Sequence, residues 1–412
     1  MPTEVSAPRA LTADDLDAFC ELDEITFITQ PRGPAELQVE RSLLELDRAI
    51  GVFDGPDIVG GAAIYSFEMT VPGGRVPMAG VSWVSVLPTH RRRGILSSMM
   101  RYQLHELHET GGEALAGLTA SEPPIYGRFG YGPATKAANL TVPRHRNALR
   151  LPEGTGDVTI RLISTPDSVP VCEEIYARQV TKRAGMLVRT PAWGAVYAAD
   201  PEAWREGRSK LRTVLAERDG QPVGFARYRT KYEGTHGVPA GRVDVQELYG
   251  DDPAAEAALL RYVLDIDLTA ITSLMRLPLD AAPVQQLTYL RAAQMTVDES
   301  LYLRLVDVDR ALSSRTYSAQ IDIVIEVADL FCPWNEGRWR LTGDEKGAHC
   351  ERTDAAPDLA IGIRELGASY LGGVTLASLD AAGLVDERRP GALAEASRAF
   401  SIDLQPSLPF GF

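Results

Sequence analysis

Apolar residues fall in short runs through the first 110 positions, and their spacing predicts the local structure. Ala49–Phe53 and Ile58–Phe67 are two such runs separated by Asp54-Gly55, which predicts a β-hairpin. Gly80–Leu87 alternates apolar and small residues and reads as a central strand. It leads through Pro88-Thr89-His90-Arg91-Arg92-Arg93-Gly94 into Ile95–Glu109, where Leu96, Met99, Met100, Leu104 and Leu107 recur three and four apart. That is the period of an amphipathic helix, closed by Gly111-Gly112. Near the start, Leu11–Leu16 reads as the opening of another helix with Thr12 as its cap.

The next segment partly repeats the first. Val214–Phe225 is again strand, Asp-Gly turn and strand, and Val243–Tyr249 predicts a strand ahead of a helix over Pro253–Leu264. Between them lies Gly250-Asp251-Asp252, acidic where the first segment carries arginines. Short β-turn-β units also recur by chance; if this unit is a duplicate, its copy of the basic loop has been lost. From Leu301 a third pattern begins, with strands at Leu301–Val306, Ile321–Val327 and Arg338–Thr342 and a short helix at Val308–Leu312. Helices follow over Ile363–Leu371, Thr375–Ala382 and Pro390–Phe400. The last residues, Leu408-Pro409-Phe410-Gly411-Phe412, are apolar, whereas most chain ends are polar and frayed, so this tail is expected to pack. The expected architecture is mixed α/β in three domains, 1–150, 151–299 and 300–412.

Composition narrows the function. The 412 residues suit two or three domains at about 150 residues each. A net charge of −14 argues against a nucleic-acid partner, which needs clustered Lys and Arg. With 45% hydrophobic and 24% charged residues the chain is a core-forming one. No run of about 18 apolar residues exists to span a membrane, and Met-Pro-Thr-Glu-Val is not a secretory leader, so a cytoplasmic location is expected. Cys20, Cys172, Cys332 and Cys350 are scattered, which argues against a disulfide scaffold or a zinc ribbon. His105 and His108 lie three apart without a third ligand nearby, so no metal is expected.

Chemistry concentrates at the Arg-Arg-Arg-Gly loop. A helix opening there offers unpaired N–H groups, the positive end of the helix dipole and guanidinium groups, all of which favour a diphosphate. There is neither a G-x-G-x-x-G nor a G-x-x-x-x-G-K-[ST] pattern. Val86–Leu96 resembles the acetyl-CoA pyrophosphate loop of GNAT N-acetyltransferases, R/Q-x-x-G-x-G/A. Arg91-x-x-Gly94 matches it, and Leu96 replaces the small last residue. Further on, Ala120-Ser121-Glu122 reads as a strand end. Ile125-Tyr126-Gly127-Arg128-Phe129-Gly130-Tyr131-Gly132 resembles the Y-x-x-F-G-F segment that closes such domains. With the degenerate second unit and the C-terminal lobe ending in Phe, these motifs resemble the Eis (enhanced intracellular survival) family of aminoglycoside N-acetyltransferases over essentially the whole chain.

The resemblance implies tandem GNAT folds, the first active and the second degenerate, and a sterol-carrier-like C-terminal lobe, assembled as a homohexamer. It implies that acetyl-CoA is held by Val84, Ser85 and Val86 on the strand. Arg92, Arg93, Gly94, Ile95, Leu96 and Ser97 would hold it on the loop and helix, and Ser121 and Glu122 beyond the next strand. Tyr126 is the implied general acid, and a modest downward shift of its phenol would bring it nearer a departing thiol. The terminal carboxylate of Phe412 is the implied general base. Phe27 and Trp83 match aromatic positions of the substrate pocket, while Thr29 and Gly411 stand where some members carry an acidic residue. The implied reaction is acetylation of an aminoglycoside-like polycation by direct attack in a ternary complex, a route to antibiotic resistance. Two alternatives stay open: an acetyltransferase for another amine, such as a polyamine or lysine, or a lipid-binding or interaction protein that keeps a CoA site.

Overall fold

The computed structural model describes residues 5–235 and 238–412, which group into two compact units. Met1–Glu4, part of the stretch behind the no-leader expectation, lies outside the described residues. The first unit holds the chain through Thr135, Ser300–Asp403 and Gly411–Phe412; the second holds Lys136–Glu299 and Leu404–Phe410. Among the described residues no helix is long and apolar enough to cross a membrane.

The first unit begins with β1 (Arg9–Ala10) and a 3-10 turn at Ala13–Asp15 that continues into α1 (Leu16–Phe27). Thr12 does open this stretch: its N–H and hydroxyl both donate to the Asp15 carboxylate at 2.8 Å. After α2 (Pro34–Arg41) comes an antiparallel meander of β2 (Ala49–Asp54), β3 (Asp57–Val71) and β4 (Gly74–Val86). α3 (Ile95–Thr110) crosses over to β5 (Leu115–Leu118), which runs parallel to β4, and β6 (Gly132–Pro133) follows. The hairpin expected at Asp54-Gly55 and the strand expected ahead of Ala120 therefore lie in one sheet. α3 buries Ile95, Met99, Met100, Leu104 and Leu107 on it. At about 1.5–3 kcal/mol per side chain, that face contributes on the order of 10 kcal/mol as an upper bound. Leu96, read from the spacing as part of the same face, is only partly buried.

The second unit carries the strands β7 (Lys136–Pro143), β8 (Thr159–Ile163), β9 (Arg212–Arg218) and β10 (Gln221–Lys231). α4 (Thr165–Gln179) and α5 (Pro191–Ala198) lie between β8 and β9. A small hairpin of β11 (Gly234–Thr235) and β12 (Val238–Pro239) precedes β13 (Gly241–Gly250), α6 (Pro253–Leu264) and β14 (Thr269–Leu277). α7 (Ala282–Gln286) and β15 (Gln294–Glu299) complete the unit. Its sheet order is β15-β7-β14-β13-β10-β9-β8, with β13 and β14 the parallel pair.

Ser300 returns the chain to the first unit. β16 (Tyr302–Leu305), expected as the start of a third domain, instead pairs antiparallel with β5 and β6 and completes the order β1-β2-β3-β4-β5-β16-β6. All four of its residues are buried, as an inner strand requires. Beyond α8 (Val308–Ser313), a five-stranded sheet of order β19-β18-β17-β20-β21 forms from β17 (Ile321–Ala328), β18 (Gly337–Asp344), β19 (Gly347–Arg352), β20 (Leu359–Gly362) and β21 (Val385–Glu387). The three late helices are α9 (Ile363–Ser369), α10 (Leu376–Ala381) and α11 (Ala392–Phe400). His108 on α3 bonds Asp307 at 2.5 Å and stacks on Trp334 at 4.3 Å, tying this lobe to the first sheet's helix.

The start of α3 lies tight against β3. A Cβ at Gly60 would stand 2.5 Å from Ile95 Cγ2, so only glycine lets the helix settle there. Gly60→Val should lower stability by about 1–3 kcal/mol through overpacking, read as a lower urea midpoint at unchanged slope. Adding Ile95→Ala should recover part of the loss; an unchanged midpoint in Gly60→Val would remove this contact from the account.

Candidate active site

β4 and β5 pair at only three registers, Met78↔Leu115, Ala79↔Ala116 and Gly80↔Gly117. Past Gly80 the two strands part, and Val81–Val86 continue without β5 beside them. β4 is also bulged against β3 between Ser82 and Ser85, with Trp83 held at a φ of 57°. A bulge bends its strand and re-aims side chains. Backbone N–H and C=O groups on an opened strand are left for a ligand with amides of its own, as a peptide adds to a sheet edge.

The basic loop leads from β4 into α3. Gly94 stands at a φ of 83°, where a Cβ would meet nothing within 4 Å, and it opens the helix without a capping side chain. Ser98 N–H donates to the Gly94 carbonyl, so Ile95, Leu96 and Ser97 keep the unpaired N–H groups of the first turn. Asp54, from the hairpin turn, holds the loop from beneath through His90 at 3.2 Å and Arg93 at 3.9 Å.

These elements enclose a cavity of about 930 Å³. Val84, Val86, Arg92, Gly94, Ile95, Leu96, Ser97, Ser121 and Glu122 line it, and so do Phe27, Trp83, Tyr126 and Phe412. Ser85 and Arg93 are not part of its lining. The Ser85 side chain is buried and donates to Asp23 at 3.2 Å, which leaves only its backbone for a ligand. β5 ends at Leu118, so Ser121 and Glu122 sit beyond the strand, in the turn before a 3-10 helix at Pro123–Phe129. Gly130, at a φ of 85°, closes that short helix, and Tyr126 projects from it.

Burial pushes the Tyr126 phenol up to about 12, with the Glu122 carboxylate adding to the rise. The modest downward shift that would match the phenol to a thiol is not what the site provides: desolvation of the phenolate sets the sign, and the neighbouring carboxylate reinforces it. On the aromatic wall, Trp83 donates its indole N–H to Tyr65 at 2.6 Å, stacks on Phe19 at 5.4 Å and lies under the Arg32 guanidinium at 5.3 Å. Phe27, the last residue of α1, is half-exposed. The Phe412 ring packs on Phe67 at 4.8 Å, and its main-chain oxygen accepts from the Thr119 hydroxyl at 3.1 Å. A Cβ at Gly80 would lie 2.5 Å from Phe67 and 3.1 Å from the Phe412 ring, so the last paired residue of β4 makes room for both.

Thr119, Arg91 and Arg128 also line the cavity, and sequence reasoning assigns them no separate role. Arg91 and Arg128 lie inside the two recognised motifs; nothing in the sequence marks Thr119.

A parallel pair that opens beside an uncapped helix start is the framework of a GNAT acyltransferase, and the cradle fits the diphosphate and amides of acetyl-CoA. Comparison with known proteins agrees. Residues 7–134 and 185–305 each match an acetyltransferase (GNAT) domain family, and residues 308–409 match a sterol carrier protein domain family. An uncharacterized N-acetyltransferase of Streptomyces avermitilis is 50% identical over 417 aligned positions, covering 100% of both chains. N-acetyltransferase Eis of Mycobacterium tuberculosis is 33% identical over 97% of this chain and 98% of its own. The crystal structure of Eis1 from Mycobacterium abscessus superposes with a TM-score of 0.84 at 33% identity, covering 99% of this chain and 100% of that one. The chain belongs to the Eis family of GNAT N-acetyltransferases. It is an N-acetyltransferase, with acetyl-CoA as the acyl donor of its class.

The loop geometry separates two arginines that the motif treats alike. Arg92→Ala should raise the KM for acetyl-CoA by about 10- to 100-fold, the loss of one charge-assisted contact of about 1.5–3 kcal/mol. Arg93→Ala, whose guanidinium faces Asp54, should raise it less. Initial rates of thiol release against acetyl-CoA concentration check the order; equal effects of the two would contradict it.

Proposed function

We propose that the first unit transfers an acetyl group from acetyl-CoA to a primary amine by direct attack in a ternary complex, with Tyr126 as hydrogen-bond donor to the leaving sulfur and the Phe412 terminal carboxylate as base. The observation that carries this reading is that Tyr126 and Phe412 line one cavity, with the diphosphate cradle of α3 in its wall. Acetyl-CoA supplies an activated thioester. The N–H groups of Ile95, Leu96 and Ser97, with Arg92, hold the diphosphate, and Arg93, beside Asp54, adds its charge from outside the cavity lining. Val84, Ser85 and Val86 orient the pantetheine arm through their backbones, and Ser121 and Glu122 bound it on the far side.

Phe412 takes the proton that the amine loses as its nitrogen bonds the acetyl carbon. An α-carboxylate has a reference pKa of about 3.5, so Phe412 also anchors the amine's cationic form before the proton moves. Tyr126 donates a hydrogen bond to the sulfur as the carbon–sulfur bond breaks. With the phenol near 12 and a thiol near 8.5, complete proton transfer is uphill by about 5 kcal/mol. Tyr126 thus works as a donor that stays protonated and lets the sulfur leave as thiolate.

The aminoglycoside-like acceptor is part of this reading, but the charges around the aromatic wall favour fewer amines. Asp23 and Glu40 lie 2.5 and 2.7 Å from Arg32, and Glu24 lies 3.8 Å away, so these acids already serve one cation. Burial raises the Glu40 carboxyl as well. Among the described residues lining the cavity, Glu122 carries the single carboxylate side chain. Each further ammonium group of a polycation would be desolvated without a partner. An amine borne on an apolar or aromatic body suits Phe27, Trp83 and Phe412 better. A panel of aminoglycosides, polyamines, lysine peptides and aryl-alkyl amines, scored by thiol release and by mass counting of acetyl groups, decides. Multiple acetylation of aminoglycosides would support the polycation and a part in resistance. Stoichiometric fatty acid or sterol binding without thiol release from any amine would favour a lipid-binding role. The homohexamer and the cytoplasmic location complete the proposal, and light scattering tests the former.

Tyr126→Phe should lower kcat by about 100-fold with little change in either KM. Because the raised phenol stays protonated below about pH 12, no alkaline limb from Tyr126 should appear in kcat between pH 7 and about 10. A limb near 9 that vanishes in Tyr126→Phe would show a lowered phenol instead. Appending residues after Phe412 should abolish turnover while acetyl-CoA binding persists, whereas an N-terminal tag should leave turnover intact. Equal rates for the two tagged forms would take Phe412 out of the mechanism.

A further inference from the structure

The second unit has the same opening between parallel strands as the first, but different occupants. β13 and β14 pair from Gly241↔Thr269 to Val245↔Leu274, and Gln246–Gly250 then run on without β14. Where the first unit has an open helix start, α6 is capped by Asp252, whose carboxylate accepts from Ala254 N–H and Ala255 N–H at 3.0 Å. Arg218 and these N–H groups hold that carboxyl down to about 2, so a fixed anion already fills the place of a diphosphate.

What lies in this unit instead is Leu404–Phe410. Asp280, just past the end of β14, accepts from Gln405 N–H at 3.0 Å, and Arg183 donates to the Gln405 carbonyl at 2.9 Å while bonding Asp280 at 2.7 Å. Ser407 N–H donates to the Ala184 carbonyl at 2.9 Å. Gly185, at a φ of 88°, comes so close that a Cβ would be 2.9 Å from the Ser407 oxygen. Phe410 is 2% exposed, stacked on Trp193 at 5.4 Å and against Tyr197 at 5.0 Å, with the Arg189 guanidinium 5.3 Å from its ring. Arg189 in turn is paired with Glu247, which belongs to the part of β13 that has lost β14 as a neighbour.

We propose that the β13–β14 opening of the second unit is a peptide-binding cleft whose ligand is the chain's own Leu404–Phe410 segment, and that Phe410 is a positioning residue for Phe412. The assignment of a task to Phe412 rests on the reading in the preceding subsection; the peptide cleft itself does not. Two main-chain groups of Gln405, one of Ser407 and one aromatic pocket give the recognition pattern of a bound peptide: backbone bonds for register and a side-chain anchor for specificity. Gly411 is the one residue between the anchored ring of Phe410 and Phe412, so little slack separates anchor and terminus.

The test uses the full chain with Phe410→Ala, Phe410→Leu and a form extended past Phe412. Release of the tail is read by limited cleavage with subtilisin, which needs no aromatic residue, with mass detection, and chemistry by kcat and acetyl-CoA KM. Phe410→Ala should expose Leu404–Phe412 to cleavage and lower kcat at least about tenfold, with acetyl-CoA KM within about twofold; Phe410→Leu should restore much of both. If Phe410→Ala frees the tail yet keeps full kcat while the extended form is inactive, the positioning role falls and the Phe412 reading stands. If the extended form is fully active, the Phe412 reading falls and the cleavage data still report on the cleft. An uncleaved tail in Phe410→Ala overturns the cleft.

Discussion

The first unit depends on where a single hydrogen-bonded ladder stops. Three registers join β4 to β5, ending at Gly80↔Gly117, and the strands then separate. A strand buried in a sheet cannot leave its main-chain groups without partners at no cost, so an interrupted ladder commits the fold to a ligand, to water or to another segment there. The bulge at Trp83 accentuates the opening by bending β4 away. Gly80 at the last register, and Gly60 beneath α3, keep the neighbourhood thin enough for large rings and a helix start to approach. Small residues in these strands are thus structural requirements of the cavity rather than gaps in the core.

Remote segments then furnish that cavity, and they do so through burial more than through charge. Phe412 enters from the far end of the sequence and is held by Phe67, Thr119 and the space at Gly80. Asp54, from a hairpin turn, steadies the basic loop through His90 and Arg93. Tyr126 rests on a short helix closed by Gly130, beneath which Arg304 is fully buried and bonded to Asp329 at 2.5 Å. Burying a phenol with a carboxylate near its edge fixes it in the protonated form. At neutral pH the phenol therefore remains a hydrogen-bond donor.

The parts of this site that could be read from the sequence are those whose residues are neighbours in the chain. Arg91–Gly94, the α3 period and the Ile125–Gly132 segment each place their residues within one element and its flanking turn, so local spacing predicts them. Thr119, Asp54 and the Asp23–Ser85 bond are not legible, because their partners are 293, 36 and 62 positions away. The same reason explains β16: an apolar run predicts a strand, but nothing in it says which sheet it joins, and this one joins the first. β19, Gly347–Arg352, carries no strand signal because it is polar and lies at a sheet edge, where alternation is weak. The sign of the Tyr126 shift depends on how deeply the phenol is buried, which spacing does not encode.

The two helix starts show how little sequence separates an open helix N-terminus from a capped one. In the first, Gly94 leaves the N–H groups of the opening turn of α3 facing the cavity with arginines beside them. In the second, Asp252 supplies its own carboxylate to the equivalent N–H groups, and Arg178 and Arg218 pair with Asp251 and Asp252 rather than with a ligand. A helix N-terminus favours an anion by about 0.3–2 kcal/mol, and a tethered carboxylate meets that preference at no cost in association entropy, so it outcompetes a free phosphate. Once capped, α6 gains stability and these N–H groups are no longer open to an anion. The strand opening persists because it is a property of the sheet, set by β13 and β14 and not by the loop. An opening without a diphosphate cradle still offers main-chain groups and an apolar wall, which are the requirements of a peptide and not of a nucleotide. The acidic Gly250-Asp251-Asp252 turn thus satisfies the first turn of α6 from within the chain, while the opening between β13 and β14 is left unchanged.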